Sequence, residues 1–422
     1  MLYNIHPLKL FRALSLSLEL SHDGSARHHW RTAMIASRIA EELPIEDSER
    51  QLVLHASLLH DIGAAAHWDE EFVGDGAFEG AAQHAEAGYR LLKDSRALGR
   101  LALPIRYHHA RWDGMGAAEP AGKAIPLAAR IIHAANRMET LLAEEKREHV
   151  LLQQRPILKT LASEAGKELD PAVVAVLLQI AEKESFWLDL INYQYYDRFF
   201  SLRMEGHMHL QLAEILDIAE IFATLIDQAS QFTARHSRFV SQVAALLAEK
   251  KGFCQMEVTA MRIAGLLHDL GKLSIPAHVL EKEGKLAPEE QTIMRQHTYY
   301  TYRILSELDD FPLISQWAAY HHETLDGEGY PFRVPGEQLR LGSRIVAVAD
   351  VFVALTEPRP YRPKLLTRHQ VEEIMQERAA KNKLDDGLVK LLFQHYREAC
   401  AGMHKWENGD AENEGKNGAM PS

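Results

Sequence analysis

Ten of the 23 histidines in this 422-residue chain fall into two ordered series. The first runs His28, His60, His84, His108, His109, and the second His236, His268, His297, His321, His322. An aspartate follows the second histidine of each, giving His60-Asp61 and His268-Asp269. The first two members of the series are offset by 208 residues and the last three by 213. A constant offset broken by one short insertion marks a duplicated domain. The flanks agree: SARHHW matches TARHSR, LLHDIG matches LLHDLG, and HHARWDGMG matches HHETLDGEG. Further on, AARIIHAAN matches GSRIVAVAD, so Asn136 stands where Asp350 stands.

Histidine is the commonest metal ligand and titrates near neutrality. A neighbouring His-Asp pair suits two adjacent metal ions, because a carboxylate can bridge them while the imidazole serves one. A buried core histidine with a capping aspartate is the plainer reading of any one pair. The other histidines and Asp350 in register weigh against it. Gly271 is expected to close the helix carrying His268-Asp269 and to turn the chain. Lys272 follows directly, placed either to meet an anionic oxygen or simply in solvent.

The elements that must position these residues read as helices. In 236–250, Phe239, Val243, Leu246 and Leu247 fall at helical spacing, and in 257–270 Met261, Ala264, Gly265 and His268 share a face. Alternating strand patterns are scarce, and Gly and Pro gather in short stretches such as DGEGYPFRVPGE. The fold class expected is all-α, two tandem helical bundles each around a central metal site. The domains expected are 1–150, a helical connecting segment 151–211, a second domain 212–402 and a disordered tail 403–422, whose composition is Asn-, Gly- and Glu-rich. The connecting segment holds SFWLDLINYQYYDRFFSLRM, too apolar for a free linker, and is expected to pack between the domains or to finish the first.

At 46% hydrophobic and 25% charged, the chain has the composition of a globular protein with two cores. Its net charge of −12 argues against a nucleic-acid polymer as partner. It does not exclude a small anionic substrate, since local cations override the global sign. Two cysteines, Cys254 and Cys400, make neither a disulfide framework nor a thiolate zinc site. With no signal-like N-terminus and no long apolar run, a cytoplasmic protein away from membranes is expected.

The second half resembles the HD-GYP family of metal-dependent phosphodiesterases. The motifs that carry the resemblance are HDLGK (268–272), HHETLDGEGYP (321–331) and ADVFVALTEPRPYR (349–362), over about 190 residues. The first half resembles a degenerate HD domain. The resemblance implies hydrolysis of cyclic di-GMP to pGpG, and onward to GMP, by water attacking phosphorus in line with the leaving 3′ oxygen. It implies a centre of two or three divalent ions, and the His-rich donors with carboxylates suit Fe or Mn, with Ni as an alternative. One would be held by His236, His268, Asp269 and Asp350, the other by bridging Asp269 with His297, His321 and His322. Asp269 and Lys272 are the implied catalytic residues, and Lys272, Arg359 and Arg362 the implied substrate-phosphate contacts. In the family the GYP loop also meets protein partners.

The sequence departs from the family pattern at several places. Phe232 occupies a position where some members carry a third-metal Glu, which favours two ions. Thr298 and Thr301 replace a Pro and a Gly after His297, and Val353 replaces a second Asp. The first half keeps His28, His60, Asp61, His84, His108 and His109, but Ala64 replaces the Lys, the GYP segment is gone and no RPYR follows Asn136. A weak second metal site there, without turnover, is expected. His29 and His133 match no ligand position and read as ordinary helix residues. Two other functions stay open: hydrolysis of another nucleotide or a hybrid cyclic dinucleotide, and a non-catalytic nucleotide-binding scaffold.

Overall fold

The structure is a computed structural model. It describes residues 6–19, 27–64, 77–115, 120–143, 149–204, 209–228, 235–282, 284–308, 311–357 and 365–401. The chain divides into two compact units, 2–210 and 211 onward. Among the described residues there is no strand beyond an isolated bridge between Ala165 and Leu169, so the all-α expectation holds.

In the first unit the helices are α1 (Pro7–Glu19), α2 (His28–Glu42), α3 (Asp47–Leu58), α4 (Ala77–Leu92), α5 (Ala102–Arg106), α6 (Leu127–Ala143), α7 (Val150–Glu164), α8 (Pro171–Ile180), α9 (Glu184–Ile191) and α10 (Tyr193–Ser201). The second unit holds α11 (Leu212–Gln228), α12 (His236–Lys250), α13 (Gln255–Leu267), α14 (Ala277–Leu280), α15 (Pro288–Ser306), α16 (Pro312–Ala319), α17 (Leu341–Thr356), α18 (Arg368–Ala380) and α19 (Asp386–Gln394). The repeat is visible helix by helix: α2, α3, α4, α5 and α6 correspond to α12, α13, α15, α16 and α17. In each unit the first of these packs on the second and on the last.

Helices α7 to α10, expected as a connecting segment, pack onto the first unit. Helix α8 starts at Asp170, whose carboxylate accepts from the Ala172 N–H at 2.8 Å, with Pro171 at the first helical position. It packs on α2, α6 and α7, and Val173, Val174 and Leu177 are buried. Trp187, Tyr196, Phe199 and Phe200 are fully buried. Burying such rings contributes about 2 kcal/mol each, so this segment belongs to a core.

The start of α12 is set from outside the helix. Its N-cap Arg235 supplies no side-chain cap. Instead Asp227, near the end of α11, accepts from the Ser237 N–H at 3.1 Å and from its hydroxyl at 2.7 Å. A carboxylate at a helix N-terminus also meets the positive end of the helix dipole. Burial raises the Asp227 pKa to about 6. This contact fixes the first turn of α12 and with it His236.

Candidate metal centre

The His268-Asp269 pair lies just past the last residue of α13, at the turn into the 3-10 segment Leu270–Ser274, and not within the helix as expected. Gly271 has no positive φ, so it is not the left-handed helix cap expected. It is required by close approach: a Cβ there would sit 2.0 Å from the His297 carbonyl oxygen and 2.7 Å from the Thr301 nitrogen. The turn thus presses against α15. Thr301, in the place of the family glycine, turns this into hydrogen bonds, accepting from the Gly271 N–H at 2.9 Å and donating to the His268 carbonyl at 3.1 Å. The first unit solves the same problem with two glycines, Gly63 and Gly88, whose nitrogen lies 2.4 Å from a Cβ built on Gly63.

Four elements then converge on Asp269. His236 (α12), His268 and Asp350 (α17) form one group, and His297 (α15), His321 and His322 (after α16) another. Asp269 lies between them. Its Oδ2 is 3.1 Å from His268 Nε2, and its Oδ1 is 3.4 Å from His297 Nε2 and 3.8 Å from His321 Nε2. Asp350 Oδ1 is 3.1 Å from His236 Nε2 and 3.9 Å from His268 Nε2. All seven side chains are buried or nearly so.

The tautomers follow from backbone contacts. His268, His297 and His321 each place Nδ1 2.7 Å from the carbonyl three residues earlier, at Gly265, Met294 and Ala318. A carbonyl only accepts, so Nδ1 carries the proton and Nε2 a lone pair. His236 does the same through a side chain: its Nδ1 lies 2.9 Å from Glu357 Oε2. The Nε2 lone pairs of His268, His297 and His321 therefore face carboxylate oxygens of Asp269, and those of His297 and His321 face each other at 3.3 Å. His268 Nε2 is buried without a hydrogen-bond partner. Acceptors so placed repel one another unless a cation sits among them. Ligand atoms about 2.1 Å from an ion, at tetrahedral or octahedral angles, stand about 3.0–3.4 Å apart, which is the spacing seen here. The donor set fits divalent metal ions.

Burial pushes His297 down to about 3 and also lowers His321 and His322, so these rings are neutral and free to ligate. Burial works against charge on His236 too, but Asp350 and Glu357 outweigh it and raise the pKa to about 9. Burial would raise Asp269, yet His268 and Lys272 hold it well below the usual carboxylate range.

Lys272 Nζ sits 2.6 Å from Asp269 Oδ2, at the edge of the centre rather than loose in solvent. Arg359, Arg362, Phe232 and the tail 403–422 lie outside the described residues. Val353 is fully buried in α17.

Several contributors were not foreseen. Glu357 orients His236 from the end of α17, one turn beyond Val353. Glu323, buried directly after the two histidines, accepts from the Phe332 N–H at 2.7 Å and the Val334 N–H at 3.0 Å, pinning the loop 324–335. That loop brings Tyr330 onto the His322 ring, stacked at 4.8 Å, with the Arg295 guanidinium 4.9 Å from the tyrosine ring. Glu323 and Glu357 both stand as acids inside quoted motifs, but nothing in their spacing says which histidine or backbone group each one meets.

In the first unit, His28, His60 and Asp61 form one group and Asp61, His84, His108 and His109 another. Asn136 is nearly buried in α6. His29 is more than an ordinary helix residue, buried with its Nε2 3.8 Å from Asp61 Oδ2. His133 accounts for its ring through the Ala110 carbonyl, 3.2 Å from Nδ1. No described helix is long and apolar enough to cross a membrane.

Residues 26–141 and 215–388 each match a family model for the HD domain. The chain is 28% identical to 3'3'-cGAMP-specific phosphodiesterase 1 of Vibrio cholerae over 424 residues, covering 94% of this chain and 95% of the relative. It is 32% identical to 3'3'-cGAMP-specific phosphodiesterase 3 of the same organism over 277 residues, 65% of this chain and 59% of that one. A cyclic di-GMP phosphodiesterase of Thermotoga maritima is 39% identical over 155 residues, 36% of this chain and 42% of the relative. The crystal structure of a cyclic GMP-AMP-specific phosphodiesterase of Vibrio cholerae shares the fold, with a TM-score of 0.66 at 24% identity over 93% of this chain and 98% of that one. With two HD domains in tandem and the HDLGK and GYP segments on the second, the chain belongs to the HD-GYP family.

Proposed function

We propose that the second unit hydrolyses a 3′,3′-linked cyclic dinucleotide, with the hybrid of GMP and AMP preferred over cyclic di-GMP. The observation that carries the hydrolytic reading is Asp269, whose two carboxylate oxygens face two separate groups of histidines. The preference for the hybrid departs from the sequence-based expectation of cyclic di-GMP. It rests on the relative that aligns across both halves of the chain, which is named for 3'3'-cGAMP, whereas the cyclic di-GMP relative aligns to a third of it.

Two divalent ions, Fe or Mn with Ni as an alternative, would be held by His236, His268, Asp269 and Asp350 and by Asp269, His297, His321 and His322. Bound there, they supply an acidified water and neutralise phosphate charge. The chain's own residues do the rest. Three backbone carbonyls lock His268, His297 and His321 in the tautomer that presents Nε2, and Glu357 orients the His236 ring. Tyr330 holds His322 by stacking and shields that side from water. Lys272 brings a positive charge to the rim, where a phosphate oxygen would meet it. Arg359 and Arg362 are proposed to grip the second phosphate. In the reaction an O–P bond forms from water, the bond from phosphorus to the 3′ oxygen breaks, and the 3′ oxygen takes a proton. The product is a linear dinucleotide with a 5′ phosphate. The GYP loop is proposed as a protein-partner surface.

The test is turnover of 3'3'-cGAMP, cyclic di-GMP and the linear pGpG by purified protein loaded with Mn²⁺ or Fe²⁺. Asp269→Ala should abolish it, and Asp61→Ala should leave most of it. Equal damage from both would overturn the division of labour. Faster hydrolysis of cyclic di-GMP than of the hybrid would overturn the proposed preference.

A further inference from the structure

We infer that the first unit holds a binding pocket for a small uncharged heterocycle, a nucleoside or its base, at the end of the α2–α3 pair remote from the histidines.

Helices α2 and α3 are joined by residues 43–46 and pack side by side. His28 opens α2 and His60 follows α3, and their rings meet, so both lie at one end of the pair. A cavity of about 390 Å³ lies toward the other end. Its walls include Ser37 and Glu41 of α2, Arg50, Gln51 and Leu54 of α3, and Arg203 just after α10. At 1.5 Å per residue, Ser37 stands about 14 Å along α2 from His28. The volume falls within the range of about 300–1,000 Å³ typical of small-molecule sites.

The repeat shows that this lining is not needed to fold the helix pair. At the offset of 208, Ser37 becomes Ala245, Arg50 becomes Val258 and Gln51 becomes Thr259. Ala245 and Val258 are buried, and the Thr259 hydroxyl donates to the Gln255 carbonyl of its own helix at 3.0 Å. The second unit thus packs the same two helices with small or apolar residues where the first keeps polar ones. Arg203 belongs to the segment after α6, outside the repeated helices, so that segment closes one side of the cavity.

The walls specify the chemistry of the occupant. Ser37 is 5% exposed, and among the described residues its Oγ and Gln51 Oε1 are buried without a hydrogen-bond partner. Buried polar groups left so are unfavourable, and a ligand that bonds to them offsets the loss. Gln51 Oε1 only accepts, so the ligand must bring an N–H or O–H group, while the Ser37 hydroxyl can donate or accept. The lining carries no net charge. Arg50 Nη1 donates to Asp47 Oδ1 at 2.8 Å, and Arg203 is paired with Glu41. His6, also in the wall, has its pKa lowered by burial and adds no charge. An anion would compete with two carboxylates for those arginines, so a phosphate is not the handle. Leu54, 2% exposed, offers an apolar surface, and guanidinium planes stack on flat rings. An uncharged planar ring system with N–H groups satisfies all of these walls.

The experiment titrates purified full-length protein with guanosine, adenosine, cytidine and uridine, and with GMP and AMP, by calorimetry and thermal unfolding. At least one nucleoside should bind, one per chain, and raise the unfolding temperature. The residues of the second unit supply the variant: Ser37→Ala with Gln51→Thr should weaken that binding at least about tenfold. The same variant without ligand should stay helical and unfold no earlier than wild type. Asp269→Ala should keep the binding, and saturating 3'3'-cGAMP should not compete with it, which separates the pocket from the second unit's centre. The inference is overturned if no nucleoside binds up to about 1 mM, or if the double variant binds as wild type does. It is equally overturned if Asp269→Ala abolishes binding, or if GMP or AMP binds more tightly than its nucleoside and the double variant removes that advantage.

Discussion

Removing the carboxylate of Glu357 tests how the proposed metal ligands are oriented. Its Oε2 lies 2.9 Å from His236 Nδ1, and neither residue is more than slightly exposed. Glu357→Gln keeps an oxygen to accept the Nδ1 proton but removes the negative charge, whereas Glu357→Ala removes both. Loss of such a partner weakens metal binding about 10–100-fold, the charge-only change standing near the lower end and the full truncation near the upper. At about 1.4 kcal/mol per tenfold, this is about 1.4–2.8 kcal/mol of metal-binding free energy. The assay is turnover against Mn²⁺ concentration. Half-saturation should rise about tenfold for Glu357→Gln and about a hundredfold for Glu357→Ala, with kcat recovered at saturating metal. The reasoning is refuted if half-saturation stays put, or if kcat is lost at every metal concentration.

Other outcomes follow from the same structure. Gly271→Ala forces its Cβ against the His297 carbonyl, 2.0 Å away, so α15 must shift, at a cost of about 1–3 kcal/mol and most of the turnover. Gly63→Ala, with a Cβ 2.0 Å from the His84 carbonyl, should cost similar stability while sparing turnover; comparing melting and kcat separates the two. Glu323→Ala strips two backbone N–H groups of their acceptor, each hydrogen bond to a charged group being worth about 1.5–3 kcal/mol, and should loosen the loop around Tyr330 enough for limited proteolysis to detect. Stability should fall on acidification because of His55, which burial and Arg100 hold at about 3 against 6.5 in the unfolded chain. The depressed value makes its contribution complete above pH 6.5 and lost as pH falls toward 3. At pH 5 the loss is about 2 kcal/mol, at about 1.4 kcal/mol per pKa unit. His55→Leu should flatten the pH dependence of unfolding between pH 7 and 5; an unchanged slope would reject the assignment.

Helical periodicity and the repeated histidines were enough to read an all-α fold and a duplication, and to single out the histidines and aspartates that the fold gathers. Those features are carried by local spacing, and local spacing survives in one dimension. The tautomer-setting carbonyls were legible in retrospect, since each lies three residues before its histidine, within one turn. Glu139, whose carboxylate meets His28 Nδ1 in the first unit, could have been found by setting the two halves side by side at Val353. The reading of Gly271 as a helix cap failed because a glycine looks the same whether it serves dihedral freedom or close approach.

The sequence by itself determined which residues could ligate metal and that the scaffold occurs twice, because repetition and residue type are properties of the chain. Only the tertiary structure decided that the two oxygens of Asp269 and of Asp61 face different histidines, that Glu357 and Glu139 reach equivalent rings from different turns, and that residues 151–210 complete the first unit. Each is a contact between residues far apart in the chain. Such contacts are fixed by how helices pack, and no spacing along the chain encodes them.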